Sequence, residues 1–553
     1  MTTPSDHSTR TGAIQFQRPG IAAVMLMAGT MMAAPGLAQT PLTDQPVRLG
    51  WYETANMNPA GTITFYAGQM QTDPNGGGGG TGNQLYYGGG SYAVSDRLSF
   101  GVDLSSYQDP TIKPINGMNP DFVLNTAAFW AKYQIYEAGR ISVAAQGSVE
   151  SFLRLESPVF GGRYDNVIIG SVKVPVTVMV SERLQFHVTP GVSVFPDTNG
   201  GTPFYGTVAS VGAGFSYMAS ERLSFYGAVD VPVSGNNTVT NTATLDQKAV
   251  WIGGARFAVT PKLALDTYVT NGVGITPATS ILTHWPDGET PLFGVHLTWT
   301  PGAQFSDSFR GVPVDLTERQ RDLQLDGFTL GSADTLEPWA FLASAWYGAD
   351  QHAGGALSLG FDRDGQFDVI IEDYADAGTA PAKLVPTKAP RYMFGPKVRL
   401  MDQNNGDPLS LSGRLLFGRQ IESGVPGVGV FYLEGMASYK VNDKLVLTAN
   451  PKVAAFGGTE VAGVGLGVNY QVMDGLELIA EATAVGLDAT SATWAAGARY
   501  NLPGKSGFSV DANVSNAIGR YGIGSMVAQD SPRYTIGLTK RFDVSGVGRL
   551  LGW

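Results

Sequence analysis

The 553-residue sequence contains no cysteine. That removes disulfides, thiolate metal sites, cysteine nucleophiles and a cysteine-borne lipid anchor together. Charge is scarce too: Asp, Glu, Lys and Arg make up 15 % of the chain, against about 25 % in typical soluble domains. The net balance is −11 with no basic stripe, which argues against nucleic acid as a partner. Of only five histidines, His187, His284, His296 and His352 stand far apart, and no His-x-x-x-His or Glu-His spacing points to zinc. No Gly-x-Ser-x-Gly elbow occurs. No catalytic, cofactor-binding or metal-ligating residue is therefore assigned, and a Ser–His pair meeting across strands is the one hydrolase arrangement left open. Beyond the N-terminal region no run of about 18 apolar residues exists to form a membrane-spanning helix.

What is present begins with an export signal. Arg10 and Arg18 precede the apolar run Ile21–Ala34, and small residues at Gly36 and Ala38 fit cleavage after Ala38. Residues 1–38 read as a signal peptide and 39–61 as a polar periplasmic leader. Glycine is abundant, at 72 residues. The run Gly76–Gly80 reads as a surface loop and not a phosphate loop, because no Gly-Lys-Ser/Thr follows it. Asp362-Arg-Asp364-Gly365 and Asp402-Gln-Asn404-Asn-Gly406 read as tight turns, since neither has the glycine and closing glutamate of a calcium loop.

The chain repeats itself over a long period. Trp251, Gly254, Ala255, Arg256 and Phe257 recur as Trp494, Gly497, Ala498, Arg499 and Tyr500, an offset of 243 residues. Asn271 and Gly274 return as Asn516 and Gly519, and Val211-Gly-Ala-Gly214 as Val464-Gly-Leu-Gly467. His187 to Phe195 is echoed by Thr448 to Phe456. A duplication of whole units is expected rather than a short solenoid. Within both units apolar and polar residues alternate strictly. Leu98, Phe100, Val102 and Leu104 face one way, and Ser99, Gly101, Asp103 and Ser105 the other. About 24 such strands are predicted, near the roughly 10-residue length that crosses a bilayer when tilted. Long Gly/Asn/Pro-rich connections, among them 72–83, 107–120, 156–166 and 272–290, alternate with very short turns.

This layout, closing in Tyr534, Ile536, Leu538 and Phe542, resembles the bacterial outer-membrane β-barrel class in a porin-like form. The resemblance names no subfamily, and the residues after Phe542 depart from its usual terminal signal. It implies an all-β transmembrane antiparallel barrel with internal duplication, made as two barrels of about 12 strands or one of about 24. The two units are placed at 62–300 and 337–542, joined by a linker or second leader at 301–336, with a tail at 543–553. A short helix is expected around Thr317–Leu325. The linker exceeds a barrel turn, which favours two rings.

The resemblance further implies an outer-membrane location, lipid and the barrel-assembly machinery as partners, passage of ions or small polar solutes, and no cofactor. On this phase the residues expected to line the lumen are the basic Lys132, Lys173, Lys248, Arg256, Arg414, Arg499 and Arg541. Their acidic counterparts are Asp103, Asp266, Glu481 and Asp511. A filled, non-conducting barrel whose loops form the working surface is the competing expectation.

Overall fold

The computed structural model describes residues 45–72, 83–301, 309, 314–375, 384, 390–420, 429–489, 491–502 and 507–544. The expected signal peptide, the Gly76–Gly80 run and nearly all of the expected tail lie outside these residues. Two closed antiparallel rings of twelve strands each account for most of the chain.

The first ring holds β1 (Ile63–Gln71), β2 (Gln84–Ser95), β3 (Leu98–Pro110), β4 (Asp121–Ala138), β5 (Ile141–Ser157) and β6 (Gly162–Lys173). β6 continues as Val176–Ser181 after a break at Pro175, which has no N–H for the ladder. β7 (Leu184–Val194), β8 (Thr207–Met218), β9 (Leu223–Ser234), β10 (Val250–Thr260), β11 (Leu263–Thr270) and β12 (Leu292–Trp299) follow. The second ring holds β13 (Ala340–Gly348), β14 (Ala353–Asp362), β15 (Gly365–Asp373), β16 (Arg391–Met401), β17 (Ser410–Gln420) and β18 (Gly429–Lys440). It is completed by β19 (Leu445–Phe456), β20 (Thr459–Met473), β21 (Leu476–Leu487), β22 (Thr493–Asn501), β23 (Phe508–Ala517) and β24 (Ala528–Asp543). First and last strands pair in both rings, Phe65 with Trp299 and Phe341 with Phe542, so no edge is left open. The choice between one ring and two is thereby settled as two.

The faces are inverted relative to a soluble protein. Along β23, Phe508, Val510 and Val514 are exposed while Ser509, Asp511, Asn513 and Ser515 are buried. β3 does the same with Val102 and Leu104 outside and Asp103 inside. An apolar exterior around a polar interior, with every strand paired on both sides, is stable in hydrocarbon.

The 243-residue repeat maps onto equivalent strands. Trp251 lies on the tenth strand of the first ring and Trp494 on the tenth of the second. Asn271 accepts from the Trp251 N–H (2.8 Å) and donates to the Ala249 carbonyl (2.9 Å). Asn516 makes the same two bonds, to Trp494 (2.7 Å) and Ala492 (3.0 Å). The repeated asparagine thus clamps the start of the tenth strand in each unit. The glycine echo lies on the eighth strands, β8 and β20.

One expected loop is mostly strand. Instead of a connection over 156–166, β5 runs to Ser157 and β6 restarts at Gly162. A single 3-10 turn, Pro158–Phe160, is capped by the Ser157 side chain, and Gly161 at φ 80° reverses the chain. Asp402 likewise caps a 3-10 turn ending at Gly406 (φ 92°), and Arg363-Asp364 forms the tight turn between β14 and β15.

The rings touch. Val259, Leu263 and Trp299 of the first meet Phe361 and Val398 of the second. Arg419 reaches across to both carboxylate oxygens of Asp109 at 2.7 Å.

Candidate functional site

Neither interior is empty. Each is entered from the tight-turn end by the polar segment that precedes its first strand, called here a strap. Residues 45–58 form the first strap and 314–339 the second. This corrects the expectation of a periplasmic leader: the polar residues lie inside because the lumen walls carry charges that need partners. Among the described residues neither strap supplies a strand of its barrel, although Trp339, at the end of the second, bonds by its backbone to Gly360 and Val544. In the first, Arg48–Leu49 pairs only with Tyr52–Glu53. The second contains α1 (Glu318–Asp322), with Thr317 and Gln320 forming a capping box. This helix is shorter than the expected 317–325.

The repeat explains how both straps dock. On β8, a Cβ at Gly212 would stand 2.4 Å from the Tyr52 ring of the first strap. On β20, a Cβ at Gly465 would stand 2.3 Å from the Leu330 side chain of the second. The echoed glycines therefore clear room for one apolar strap residue in each ring. The repeated arginines grip the straps as well. Arg256 donates to the carbonyl of Arg48 (3.3 Å), and Arg499 donates to the carbonyl of Asp326.

Those two strap residues also make the central ion pairs, with opposite signs. Arg48 Nη1 lies 3.1 Å from Asp103 on the wall. Asp326 lies 2.6 Å from Arg414 on the wall, with Lys397 at 4.0 Å. In the first strap Glu53 meets Lys132 at 3.4 Å, and its carbonyl accepts from Thr189. In the second, Glu481 accepts from the N–H groups of Phe328 (3.0 Å) and Thr329 (2.6 Å), and Lys440 pairs with Asp334 at 2.9 Å. Arg541 donates to the Arg321 carbonyl at 2.8 Å.

Electrostatics within the straps follow from these partners. Burial pushes the Asp326 carboxyl up, but Arg414 and Lys397 outweigh it and hold the group down at about 2. Burial raises Asp322 to about 6, with Glu477 adding to the effect. Burial also opposes ionisation of Glu53, yet Arg48 and Lys132 prevail and its pKa is lowered.

The far end of each lumen is closed by the loop between the eleventh and twelfth strands. In the first ring residues 271–286 are buried throughout. There Glu150 accepts from the Ala278 N–H (2.6 Å), Lys173 donates to Ser280 (2.6 Å), and Trp285 stacks on Phe122 at 4.4 Å. In the second, Arg520 of the equivalent loop pairs with Asp511 at 2.6 Å, and Lys452 reaches Ser525 at 3.3 Å.

The expected lumen residues divide accordingly. Asp103, Lys132, Arg256, Arg414, Glu481, Arg499 and Arg541 hold straps, whereas Lys173 and Asp511 hold the inward loops. Asp266 braces Arg256 through two bonds of 2.6 and 2.7 Å. Lys248 is corrected: it lies exposed in the connection before β10, because the Asn237 side chain takes its N–H and carbonyl at 2.8 Å each. Sequence reasoning missed Arg48, Glu53 and Asp326; a loose likeness between Leu42–Leu49 and Leu316–Leu325 includes Arg48 but neither acid.

A cross-strand Ser–His pair does exist, with His187 Nε2 3.2 Å from Ser216 Oγ. Its other nitrogen meets the Thr177 hydroxyl at 2.9 Å rather than a carboxylate, and Thr177 in turn accepts from the Ala55 N–H of the strap. The orienting acid of a nucleophilic triad is replaced by a neutral hydroxyl.

Two closed rings, apolar outside and charged inside, decide the class. The chain has the outer-membrane β-barrel architecture, in tandem. No family model and no curated protein matches the sequence. Among solved structures it is similar to the KdgM porin at 8 % identity, covering 43 % of this chain and 99 % of that one, with a TM-score of 0.29. An outer-membrane channel of Pseudomonas putida F1 matches at 12 % identity over 45 % of this chain and 98 % of its own, with a TM-score of 0.30. The siderophore receptor PirA of Pseudomonas aeruginosa spans 88 % of this chain and 81 % of its own at 9 % identity and a TM-score of 0.23.

Proposed function

We propose that the protein is a pair of outer-membrane channels for passive diffusion of ions or small polar solutes, each shut by a strap of its own chain. The observation that carries this reading is that the straps stand outside the ladder. Apart from the backbone bonds of Trp339, where the second strap runs into β13, their removal would cost side-chain and cap contacts but no ladder hydrogen bond, and would expose a charged, hydrated wall of the kind that conducts. Neither a cofactor nor a covalent step is called for, and the Thr177–His187–Ser216 arrangement is read as structural.

A second reading has its own support. Phe152, Phe160, Phe195, Phe204 and Tyr205 pack with Trp285 into a continuous aromatic core in the outer half of the first ring. A barrel filled so well also suits a non-conducting scaffold. Single-channel recording of the refolded chain in a planar bilayer separates the two. Stable steps, in the native protein or in variants with a loosened strap, support the channel. A folded, inserted protein that stays silent in both forms supports the scaffold.

A further inference from the structure

The wall around Arg48 is more specific than strap docking requires. Its guanidinium carbon lies 4.8 Å from the Trp130 ring and 5.9 Å from the Tyr66 ring, with both wall aromatics in cation–π range. Asp103 accepts from Arg48 Nη1 at 3.1 Å and from the Trp130 indole N–H at 3.0 Å. The Tyr66 hydroxyl also donates to Asp103. One carboxylate is thus aimed by two aromatic donors, and both donors present surfaces to the same cation. The rings have room because their neighbours are glycines. A Cβ at Gly89 would stand 2.4 Å from the Tyr66 hydroxyl, and one at Gly101 2.2 Å from the Trp130 ring.

Arg48 does not fill this box. Its buried Nη2 has no hydrogen-bond partner among the described residues. Beside it lies a cavity of roughly 80 Å³, also bordered by Tyr87, Tyr268 and His296. Every wall component of the box belongs to β1, β3 or β4, so it persists when the strap leaves. Asp103 then has no ion-pair partner on the wall among the described residues.

We infer that the Tyr66–Asp103–Trp130 box is a binding site for solutes bearing a guanidinium or primary ammonium group, with Arg48 as a tethered stand-in for the ligand. The inference deepens the channel reading, on which it rests for the solute's route; equilibrium binding itself does not depend on that route. It gives the first ring a cationic solute class and makes such a solute the competitor that loosens the first strap.

The test uses the full chain refolded in detergent, with heat-modifiable migration as the check on folding. Agmatine binding is measured by calorimetry, with glutarate as the anionic control. Arg48→Ala and the milder Arg48→Gln are expected to bind agmatine about tenfold tighter than the native protein, since the internal competitor is gone. Adding Asp103→Asn should weaken binding again by about tenfold, the loss of one charge-assisted contact. Glutarate should not bind. Equal agmatine affinity with and without Asp103 in a folded Arg48 variant overturns the proposal. If neither variant folds, the native protein decides: agmatine should accelerate hydrogen exchange across residues 45–58, and no change overturns the proposal. Agmatine binding in a protein that passes no current would leave the site standing while removing the channel.

Discussion

The two barrels use one frame for opposite charges. In both, an arginine of the tenth strand holds a strap carbonyl and a glycine of the eighth strand clears space for a strap side chain. Yet the first strap offers a guanidinium to a wall carboxylate, and the second offers a carboxylate to a wall guanidinium. What the duplication has kept is the grip on backbone and shape; what differs is the sign of the charge at the centre. The anchors differ in depth as well. Arg48 also pairs with a charge of its own strap, Glu53, whereas the cations on which Asp326 relies are on the wall, with neutral bonds from the Ser332 N–H and the Tyr521 hydroxyl of the inward loop.

The largest expected asymmetry follows from that reliance. Arg414→Met leaves buried acids uncompensated and should weaken docking of the second strap by about 3–5 kcal/mol. It would be read as faster hydrogen exchange over residues 314–339. Asp103→Asn, its counterpart, should cost about 1–3 kcal/mol, because Arg48 keeps Glu53. Equal losses would erase the distinction between the rings.

Overfilling the shared glycine sites comes next. Gly212→Val should loosen the first strap and Gly465→Val the second, each by about 1–3 kcal/mol. On the channel reading, each variant should raise the open probability of its own ring by about tenfold. A current that rises equally in one combined level for either variant would mean that the rings do not gate separately.

Mild acid should sharpen the contrast. The docked Asp322 has its pKa raised to about 6, so its ionisation opposes docking above that pH. Docking of the second strap should therefore tighten as pH falls from about 6 towards the ordinary aspartate value of about 4. Asp326 works the other way, losing its contribution as pH falls further, through about 2. The first strap has in Glu53 a carboxyl whose pKa is lowered, so protonating that group weakens its hold. Hydrogen exchange of both straps between pH 7 and pH 4 should separate, and parallel behaviour would contradict this assignment. The smallest effect is one of likeness. Asn271→Ala and Asn516→Ala each remove the same clamp and should each cost about 1 kcal/mol per lost bond in thermal unfolding.

Much of this architecture was legible because strands in a membrane obey a period of two. The alternation of Leu98–Ser105 placed Asp103 inside, and the repeat of Trp251 at Trp494 located the tenth strands. The straps were not legible, because a segment fixed by side-chain contacts to a surrounding wall has no periodicity of its own. Arg48 and Asp326 look like ordinary charges in polar leaders until the wall encloses them. Lys248 was misplaced for a related reason: alternation extended backwards across Asn237's clamp cannot see where the ladder stops. The stretch 156–166 failed through turn chemistry, since the two adjacent glycines that suggested a loop serve one tight reversal.

Closure of each ring by its own first and last strands makes the two closures separate in sequence. β12 ends at Trp299, so every strand of the first ring lies in little more than the first half of the sequence. A chain cut within the second strap would still be able to seal one barrel. A chain lacking only Ala528–Asp543 could not seal the other: β13 and β23 would keep unpaired edges. Without that strand one sound barrel would be joined to an open, aggregation-prone sheet.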